Sequence, residues 1–237
     1  MGRRTVIRAA IFDMDGLLID SEPFWQQAGA ESFAAVGLSL SQHDLCQTVG
    51  LRIDEVVAYW LERRPWDVER HPPRWLNGRI TERLIELVEE RGEPMPGVFS
   101  TLALCQDLGL RTALASSSSL RVIEAVLRRL GLNERFEGVH SAEFESRGKP
   151  DPAVFLTAAR QLNVPPIECV VLEDSIVGLR AARAAGMRCV MVPDRRQRDD
   201  PELGTADLVV GSLVDLDTEM LRESVGVVDE LNGSFLQ

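Results

Sequence analysis

The sequence predicts an α/β fold, a doubly wound parallel β-sheet covered by helices on both faces, with an α-helical insert after the first strand. Two patterns predict this fold. From about residue 97 onward, short apolar runs alternate with helical patterns, several of which stop at a glycine, and such alternation is typical of a parallel sheet between helices. Residues 18–92 contain helical patterns and no convincing strand, so they interrupt the alternation.

The elements can be placed in order along the chain. The first strand is predicted at residues 5–13, a β-rich and apolar run that ends abruptly at Asp13. The helical patterns of the insert lie at residues 23–36, 54–63 and 80–90. Beyond the insert, strands are predicted at residues 111–115, 135–139, 169–172, 188–192 and 208–210, and helices at residues 98–108, 120–130, 151–162 and 175–185. The tail after residue 218 is predicted to form a marginal helix or to be disordered.

These patterns divide the chain into two predicted domains. Residues 1–17 and 93–237 would form a Rossmann-like core, and residues 18–92 would form the helical domain inserted into it. Glycines and prolines stand at both crossings between the two, where they suit hinges and would equally suit plain turns.

Composition excludes several classes of partner. The 237 residues carry a formal net charge of −11, whereas a nucleic-acid backbone or an anionic membrane needs a basic face as its partner. No apolar stretch approaches membrane-spanning length. The four cysteines lie far apart without a CxxC pair, which favours a reducing compartment over a disulfide framework or a zinc site. We therefore expect a cytoplasmic protein that binds neither nucleic acid nor a membrane, and a monomer by default.

Polar side chains follow the predicted strands at their carboxyl ends, where ligands bind in an open parallel sheet. In chain order, the residues at this edge are Asp13, Asp15, Ser116, Ser117, Lys149, Glu173 and Asp174. Carboxylates that converge at one point repel one another unless a cation or protons intervene. Oxygen ligands without histidine or cysteine suit a hard cation, and Mg²⁺ is the usual one where phosphate is handled.

Lys149 is the only lysine among the 26 basic residues, since every other one is arginine. A compact ammonium group can enter a site where a bulky planar guanidinium does not fit. The sequence therefore predicts a chemical role for Lys149 at this edge of the sheet.

Four segments carry a resemblance to a known family. They are, in chain order, DMDGLLIDSE, a strand that runs into four serines, GKPDP and LEDS. In order and spacing they resemble the four motifs of the haloacid dehalogenase-like hydrolase superfamily, over about residues 9–216, and the insert resembles the cap domain of its first subfamily. Two longer segments, AAIFDMDGLLIDSEPFW and TVGLRIDEVVAYWLERRPW, are similar to the bacterial hexitol phosphatases, also described as 2-deoxyglucose-6-phosphate phosphatases. The resemblance implies a Mg²⁺-dependent phosphatase that cleaves small phosphate monoesters such as sugar or sugar-alcohol phosphates.

The resemblance also implies roles for the acidic residues. Asp13 would attack phosphorus and form an aspartyl-phosphate. Asp15 would protonate the leaving oxygen and then activate the water that hydrolyses this intermediate. Mg²⁺ would be held by the Asp13 carboxylate, the Asp15 backbone carbonyl and Asp174. Glu173 would lie close to the ion or act through water.

The remaining site residues would handle the phosphoryl group. Ser116 and the backbone N–H of Ser117 would hold phosphoryl oxygens. Lys149 would neutralise the charge that develops on Asp13 and the phosphoryl group. The insert would supply specificity, and its candidate residues are Glu22, Trp25 and Arg52; for Arg52, a surface arginine is the favoured alternative.

Two alternative functions stay open. A sugar phosphomutase of the same fold would carry a histidine where Trp25 stands and basic residues that include a lysine in the insert, and this insert contains no lysine. A non-catalytic phosphate-binding module would be expected to lack Asp13 or Asp15, and both are present.

Overall fold

The computed structural model describes residues 6–226 and contains, within them, a six-stranded parallel sheet with the strand order β3-β2-β1-β4-β5-β6. The strands are β1 Ala9–Phe12, β2 Arg111–Ser116, β3 Gly138–Ser141, β4 Cys169–Glu173, β5 Arg188–Met191 and β6 Leu208–Val209. The helices are α1 Glu22–Ala34, α2 Gln42–Leu45, α3 Ile53–Arg63, α4 Pro73–Arg91, α5 Val98–Asp107, α6 Leu120–Leu130, α7 Ala153–Gln161, α8 Ile176–Ala184 and α9 Thr218–Met220. The predicted α/β fold is confirmed.

Strand β1 lies at the centre of the sheet and is buried on both faces. Ala10 and Phe12 belong to the hydrophobic cluster that contains α5 and α6, whereas Ala9 and Ile11 belong to the cluster that contains α7 and α8. A strand buried on both faces needs a continuous apolar run rather than an alternating one, which explains the AAIF sequence of β1.

The order of the strands determines where the site lies. In register, Phe12 of β1 is paired with Leu114 of β2 on one side and with Leu172 of β4 on the other. The strand order reverses direction at β1, and this switch point is where open α/β sheets leave a crevice for ligands. The residues that follow β1, β2 and β4 therefore meet at one place.

The insert is helical, as predicted. Helices α1 to α4 follow one another between β1 and α5, and α4 packs against both α1 and α3 of the insert and α6 of the core. One hydrophobic cluster runs from Phe33 and Trp60 of the insert to Val126 of α6. The division into a core of residues 1–17 and 93–237 and an insert of residues 18–92 stays a prediction.

Helix α4 is longer than the sequence predicted. It begins at Pro73, well before the predicted start at residue 80. Proline is favoured in the first turn of a helix, because its fixed φ angle suits that turn and its missing N–H is not needed there. Trp75 in this first part is exposed, and an exposed aromatic residue obscures the apolar periodicity that becomes clear only at Ile80.

Strand β1 is shorter than the predicted run of residues 5–13, since it begins at Ala9 and ends at Phe12. Two further elements also differ from the prediction. Strand β3 begins at Gly138 and not at residue 135, because Arg135 lies in a turn where its N–H donates to the Leu132 carbonyl at 3.0 Å. The short helix α2 was not predicted; its start is stabilised by reciprocal hydrogen bonds between Ser41 and Asp44.

The remaining sequence expectations concern the tail, the cysteines and membrane spans. The tail forms the short helix α9 and a widened turn at Leu221–Val225, and the rest of its predicted range lies outside the described residues. The four cysteines, all within the described range, are free thiols. Among the helices of residues 6–226, none is long and apolar enough to cross a membrane.

Candidate active site

A cavity of about 660 Å³ opens at the carboxyl ends of β1, β2 and β4, between the sheet and the insert. Its wall on the core side carries Asp13, Asp15, Ser117, Ser118, Lys149, Glu173 and Asp174. Its wall on the insert side is largely apolar and includes Trp25, Phe33, Leu45, Leu51, Ile53 and Val56. The core side of the cavity, called the cavity floor below, is therefore charged, whereas the insert side is largely apolar.

Lys149 lies between two carboxylates at the base of the cavity. Its Nζ atom is 2.5 Å from Asp13 Oδ1 and 2.6 Å from Glu173 Oε1, and the residue is only 4% exposed. Burial alone would lower the pKa of Lys149, but the charges of Asp13 and Glu173 and their hydrogen bonds outweigh burial, so this pKa lies above its ordinary value. The only lysine of the chain is thus a buried ammonium group.

Glu173 is held rigidly by its own neighbours. Its Oε2 atom accepts hydrogen bonds from the backbone N–H groups of Asp174 at 3.0 Å and Ser175 at 2.9 Å, and from the Ser175 hydroxyl at 2.9 Å. Gly178 leaves the space that this carboxylate fills, because a Cβ atom there would lie 1.8 Å from Glu173 Oε1. Glu173 therefore offers Oε1 to Lys149 from a fixed position.

The Asp15 carboxylate bridges the insert and the core. Its Oδ1 atom accepts hydrogen bonds from the Ser21 hydroxyl at 2.5 Å and from Trp25 Nε1 at 3.1 Å. Its Oδ2 atom accepts from the Ser118 hydroxyl at 2.7 Å and the Ser116 hydroxyl at 3.3 Å. Both donors to Oδ1 come from the start of the insert, and both donors to Oδ2 come from the end of β2 and the loop after it.

Three carboxylates form a cluster that fits a metal ion. Asp13, Glu173 and Asp174 each offer an oxygen atom, and these atoms lie within 4.8 Å of one another. Burial, and next the charge of Glu173, raises the pKa of Asp174 well above its ordinary value. Burial also raises the pKa of Asp13 to about 7, although Lys149 acts in the opposite direction. Crowded, buried oxygen ligands of this kind suit a hard divalent cation such as Mg²⁺.

Comparison with known proteins decides the family. A family model described as haloacid dehalogenase-like hydrolase matches residues 7–186. The chain belongs to the haloacid dehalogenase-like hydrolases. This finding confirms the predicted family, and together with relatives named hexitol phosphatase it confirms the predicted enzyme class, a phosphatase.

Individual relatives of this hydrolase cover most of its length. It is 44% identical to hexitol phosphatase B of Escherichia coli (strain K12) over 212 residues, which are 89% of this chain and 94% of the relative. It is 30% identical to beta-phosphoglucomutase of Bacillus subtilis (strain 168), over 92% of this chain and 95% of that one. A crystal structure of CbbY from Rhodobacter sphaeroides in complex with phosphate superposes with a TM-score of 0.82 at 31% identity, covering 89% of this chain and 96% of the other.

The predicted site residues of the hydrolase meet at one place, with one difference at the serines. The Ser117 hydroxyl is buried without a hydrogen-bond partner among the described residues, and Ser117 lines the cavity. The Ser116 hydroxyl instead accepts a hydrogen bond from the Ser118 N–H at 3.0 Å and contacts Asp15. Ser118, which the sequence interpretation passed over, lines the cavity; its position in the run of four serines was the available signal.

The three candidate residues of the insert have different surroundings. Glu22 and Trp25 line the cavity, whereas Arg52 is not among the described residues that line it. The Arg52 guanidinium contacts backbone carbonyl groups of the core, so it is neither a ligand contact nor a free surface arginine.

A basic loop after β5 also lines the cavity and was missed from sequence. Arg195, Arg196 and Arg198 belong to this loop. Arg196 contacts Glu22 of the insert at 3.2 Å and Asp194 at 2.8 Å. The signal was the charge run DRRQRDD directly after a predicted strand.

Proposed function

We propose that this protein is a Mg²⁺-dependent phosphatase that hydrolyses sugar or sugar-alcohol phosphates through an aspartyl-phosphate on Asp13. The observation that carries the proposal is the arrangement of the cavity floor. Asp13 is bound by the only lysine of the chain, and Asp15, two residues on, lines the same cavity under the insert. One carboxylate is thus available as nucleophile and the other as acid and base.

Asp13 is the proposed nucleophile. One of its oxygen atoms is bound by Lys149, and the residue borders the cavity. Attack by the carboxylate on phosphorus forms an O–P bond as the bond to the sugar oxygen breaks, which divides one difficult displacement into two easier ones. Lys149 stabilises the negative charge that collects on Asp13 and the phosphoryl group.

Asp15 is the proposed general acid and base. Its carboxyl group gives a proton to the leaving sugar oxygen, and its carboxylate then takes a proton from the water that attacks the aspartyl-phosphate. The second step returns inorganic phosphate and restores both aspartates. The four hydrogen bonds to its side chain support this role, because they hold the carboxyl group in one orientation.

The proposed Mg²⁺ ligands are the side chains of Asp13 and Asp174 and the backbone carbonyl of Asp15, with Glu173 beside them. When bound, the ion supplies positive charge that draws the phosphate group toward the carboxylates. Gly16 supports this ligand set, because a Cβ atom at that position would lie 2.0 Å from Asp174 Oδ2. The chain between Asp15 and the insert can therefore pass directly over Asp174.

The phosphoryl oxygens are proposed to bind at the run of four serines at the end of β2, residues 116–119, which is called the serine loop. Ser117 supports this part of the proposal, because its hydroxyl is buried with no hydrogen-bond partner among the described residues. Its backbone N–H is proposed as a second donor, and Ser116 acts indirectly, through Asp15 and Ser118.

The substrate class is proposed from the insert side of the cavity and from the relatives. Glu22, Gln26 and Thr48 are among the polar residues on this largely apolar wall, and we propose that they bind the hydroxyl groups of a sugar or a sugar alcohol. A relative at 44% identity is named hexitol phosphatase B. We propose residues 18–92 as the domain that covers the substrate, and a cytoplasmic monomer as the active form.

A phosphomutase is the second candidate, since a relative at 30% identity is named beta-phosphoglucomutase. Trp25 favours hydrolysis. Its indole N–H donates to Asp15, and an indole offers no basic nitrogen that could take part in proton transfer at that position.

The test is phosphate release from a panel of sugar, sugar-alcohol and nucleotide phosphates, with Mg²⁺ or with EDTA. Asp13→Asn should abolish the Mg²⁺-dependent release, whereas Asp107→Asn, at the exposed end of α5, should leave it unchanged. Accumulation of an isomerised sugar phosphate instead of inorganic phosphate would favour the mutase. Full turnover by Asp13→Asn would contradict the proposed nucleophile.

A further inference from the structure

The first turn of α3 in the insert is hydrogen-bonded to a core segment that leads to Lys149. Arg52, the residue before α3, donates from Nη1 to the backbone carbonyl of Ala142 at 3.0 Å and to that of Glu145 at 2.7 Å. The segment of residues 142–148 is named here the lysine-leading segment, since Lys149 is the next residue. This contact joins the insert to the core outside the cavity.

Glu55 makes a second contact with the same segment. Its Oε1 atom accepts a hydrogen bond from the Gly148 N–H at 3.2 Å, and its Oε2 atom accepts one from the Arg52 N–H at 3.1 Å. A Cβ atom at Gly148 would lie 2.9 Å from Arg52 Cγ and 2.9 Å from Glu55 Oε2. The approach of α3 therefore depends on glycine directly before Lys149.

All three nitrogen atoms of the Arg52 guanidinium donate hydrogen bonds to protein groups. Its Nε and Nη2 atoms donate to the two carboxylate oxygens of Asp54 at 3.1 and 2.7 Å, and its side chain is 12% exposed. A planar guanidinium can satisfy a carboxylate with one edge and two carbonyl groups with another, which the compact ammonium of lysine cannot reproduce.

The lysine-leading segment is also tied to the serine loop that holds Asp15. Just before the segment, the Ser141 hydroxyl donates to the Ser118 carbonyl at 2.6 Å. Within the segment, Glu143 Oε1 accepts a hydrogen bond from the Leu120 N–H at 2.8 Å. A displacement of this segment would therefore move both Lys149 and the serine loop that binds Asp15.

The far side of the segment is anchored to the core. The Glu145 side chain accepts a hydrogen bond from Thr157 at 2.6 Å and lies 2.7 Å from His140 Nε2. Thr157 is the first of the groups that lower the pKa of Glu145 below its ordinary value. Glu145, whose backbone carbonyl group Arg52 contacts, is therefore held in place by the core.

We propose that Arg52 and Glu55 are positioning residues, which place Lys149 and the serine loop for catalysis only while α3 is docked on the core. Neither residue is among the described residues that line the cavity, so they act through the lysine-leading segment. The inference rests on the proposed function, because it assigns a step of that reaction to the docked arrangement. Docking of the insert and completion of the site are then one event.

The first test measures turnover by Mg²⁺-loaded enzyme. Arg52→Ala and Glu55→Ala should each lower kcat by about tenfold or more, the effect of losing one hydrogen bond to a charged group. Arg52→Lys should not restore kcat, because it keeps the charge and loses the planar fork. Arg64→Ala is the matched control: this arginine follows the other end of α3 and contacts Asp44 within the insert at 2.9 Å, and its kcat should stay within about twofold of wild type.

The second test measures amide hydrogen exchange without substrate, in a peptide that contains residues 142–149. Arg52→Ala and Glu55→Ala should speed exchange there by about tenfold, and Arg64→Ala should not. Wild-type kcat and wild-type exchange in both alanine variants would overturn the inference, as would full recovery of kcat in Arg52→Lys. Asp13→Asn distinguishes failure of the proposed function from failure of this inference. If Asp13→Asn stays active, the proposed function is wrong. If Asp13→Asn is inactive and the Arg52 and Glu55 variants are unaffected, only this inference is wrong.

Discussion

The indole N–H of Trp25 donates a hydrogen bond to Asp15 Oδ1 across a distance of 3.1 Å. Trp25 belongs to α1, the first helix of the insert, and Asp15 follows the central strand of the core. The proposed acid and base is therefore held in part by the first helix of the insert. Ser118 of the core holds the opposite oxygen of the same carboxylate at 2.7 Å.

Replacement of Trp25 should lower turnover without a large loss of stability. Trp25→Phe keeps an aromatic ring and removes the donor to Asp15, while three other donors remain, so kcat should fall by about tenfold. Trp75→Phe is the control, because Trp75 is 40% exposed on α4. Equal kcat values for the two variants would show that the indole hydrogen bond does not matter for Asp15.

Replacement of Asp15 should separate the two chemical steps. Asp15→Asn can neither protonate a sugar oxygen nor activate water, so turnover of sugar phosphates should fall by about 10² to 10⁴-fold. With p-nitrophenyl phosphate, whose leaving group needs no protonation, the variant should release about one equivalent of nitrophenol rapidly and then stall. A rapid-mixing absorbance trace measures this burst; steady release at the wild-type rate would exclude Asp15 as the base.

Stability of the metal-free protein should depend on the ionisation of Asp13. Burial is the main cause that raises the pKa of Asp13 from 3.8 to about 7 in the folded state. A carboxyl group with a raised folded-state pKa binds its proton more tightly in the folded protein, so its favourable contribution is present at low pH. That contribution is lost as pH rises from 3.8 to about 7, so the free energy of unfolding decreases by an amount on the order of a few kcal/mol.

Thermal unfolding in EDTA, at about pH 5 and about pH 8, measures this effect. Asp13→Asn carries no charge at either pH, so its Tm should exceed that of wild type at the higher pH and by much less at the lower pH. Excess Mg²⁺ should reverse the order, because it binds the wild-type carboxylates and stabilises the folded state. A Tm difference that does not change with pH would contradict the raised pKa.

Two glycines in helices should respond in opposite ways to the same substitution. Gly178→Ala places a Cβ atom against the buried Glu173 carboxylate, which Lys149 and Ser175 hold in place, and should lower the free energy of unfolding by about 2 kcal/mol or more. A Cβ atom at Gly78 in α4 would meet no atom of the surrounding described residues within 4 Å, so Gly78→Ala should raise the free energy of unfolding by about 0.5–1 kcal/mol. Urea denaturation compares the two, and a stable Gly178→Ala would mean that Glu173 can move.

The residues that sequence predicted best are those whose position follows from strand order. Asp13 follows a run buried on both faces, and such a run must lie in the interior of the sheet. Lys149 was marked by its rarity and is found between two carboxylates. The burial of the preceding strand thus located Asp13, and the rarity of lysine marked Lys149.

The contacts that sequence missed depend on side-chain directions and on distant segments. A run of four serines does not specify that Ser118 donates to Asp15 while the Ser117 hydroxyl has no partner among the described residues. Arg52 lies far along the chain from the carbonyl groups it contacts, and no local pattern encodes a pairing of that kind. Helix docking, which involves the whole insert, decides where its guanidinium lies.

The most direct test of the central claim is to trap the phosphorylated enzyme and locate the phosphoryl group. Wild-type protein and Asp15→Asn would be mixed with a sugar phosphate and Mg²⁺, quenched in acid within milliseconds, and digested for peptide mass spectrometry. The account predicts one added phosphoryl group on Asp13, accumulating in Asp15→Asn because hydrolysis of the intermediate is slow there. A phosphoryl group on another residue, or turnover with no phosphorylated enzyme in either protein, would contradict it.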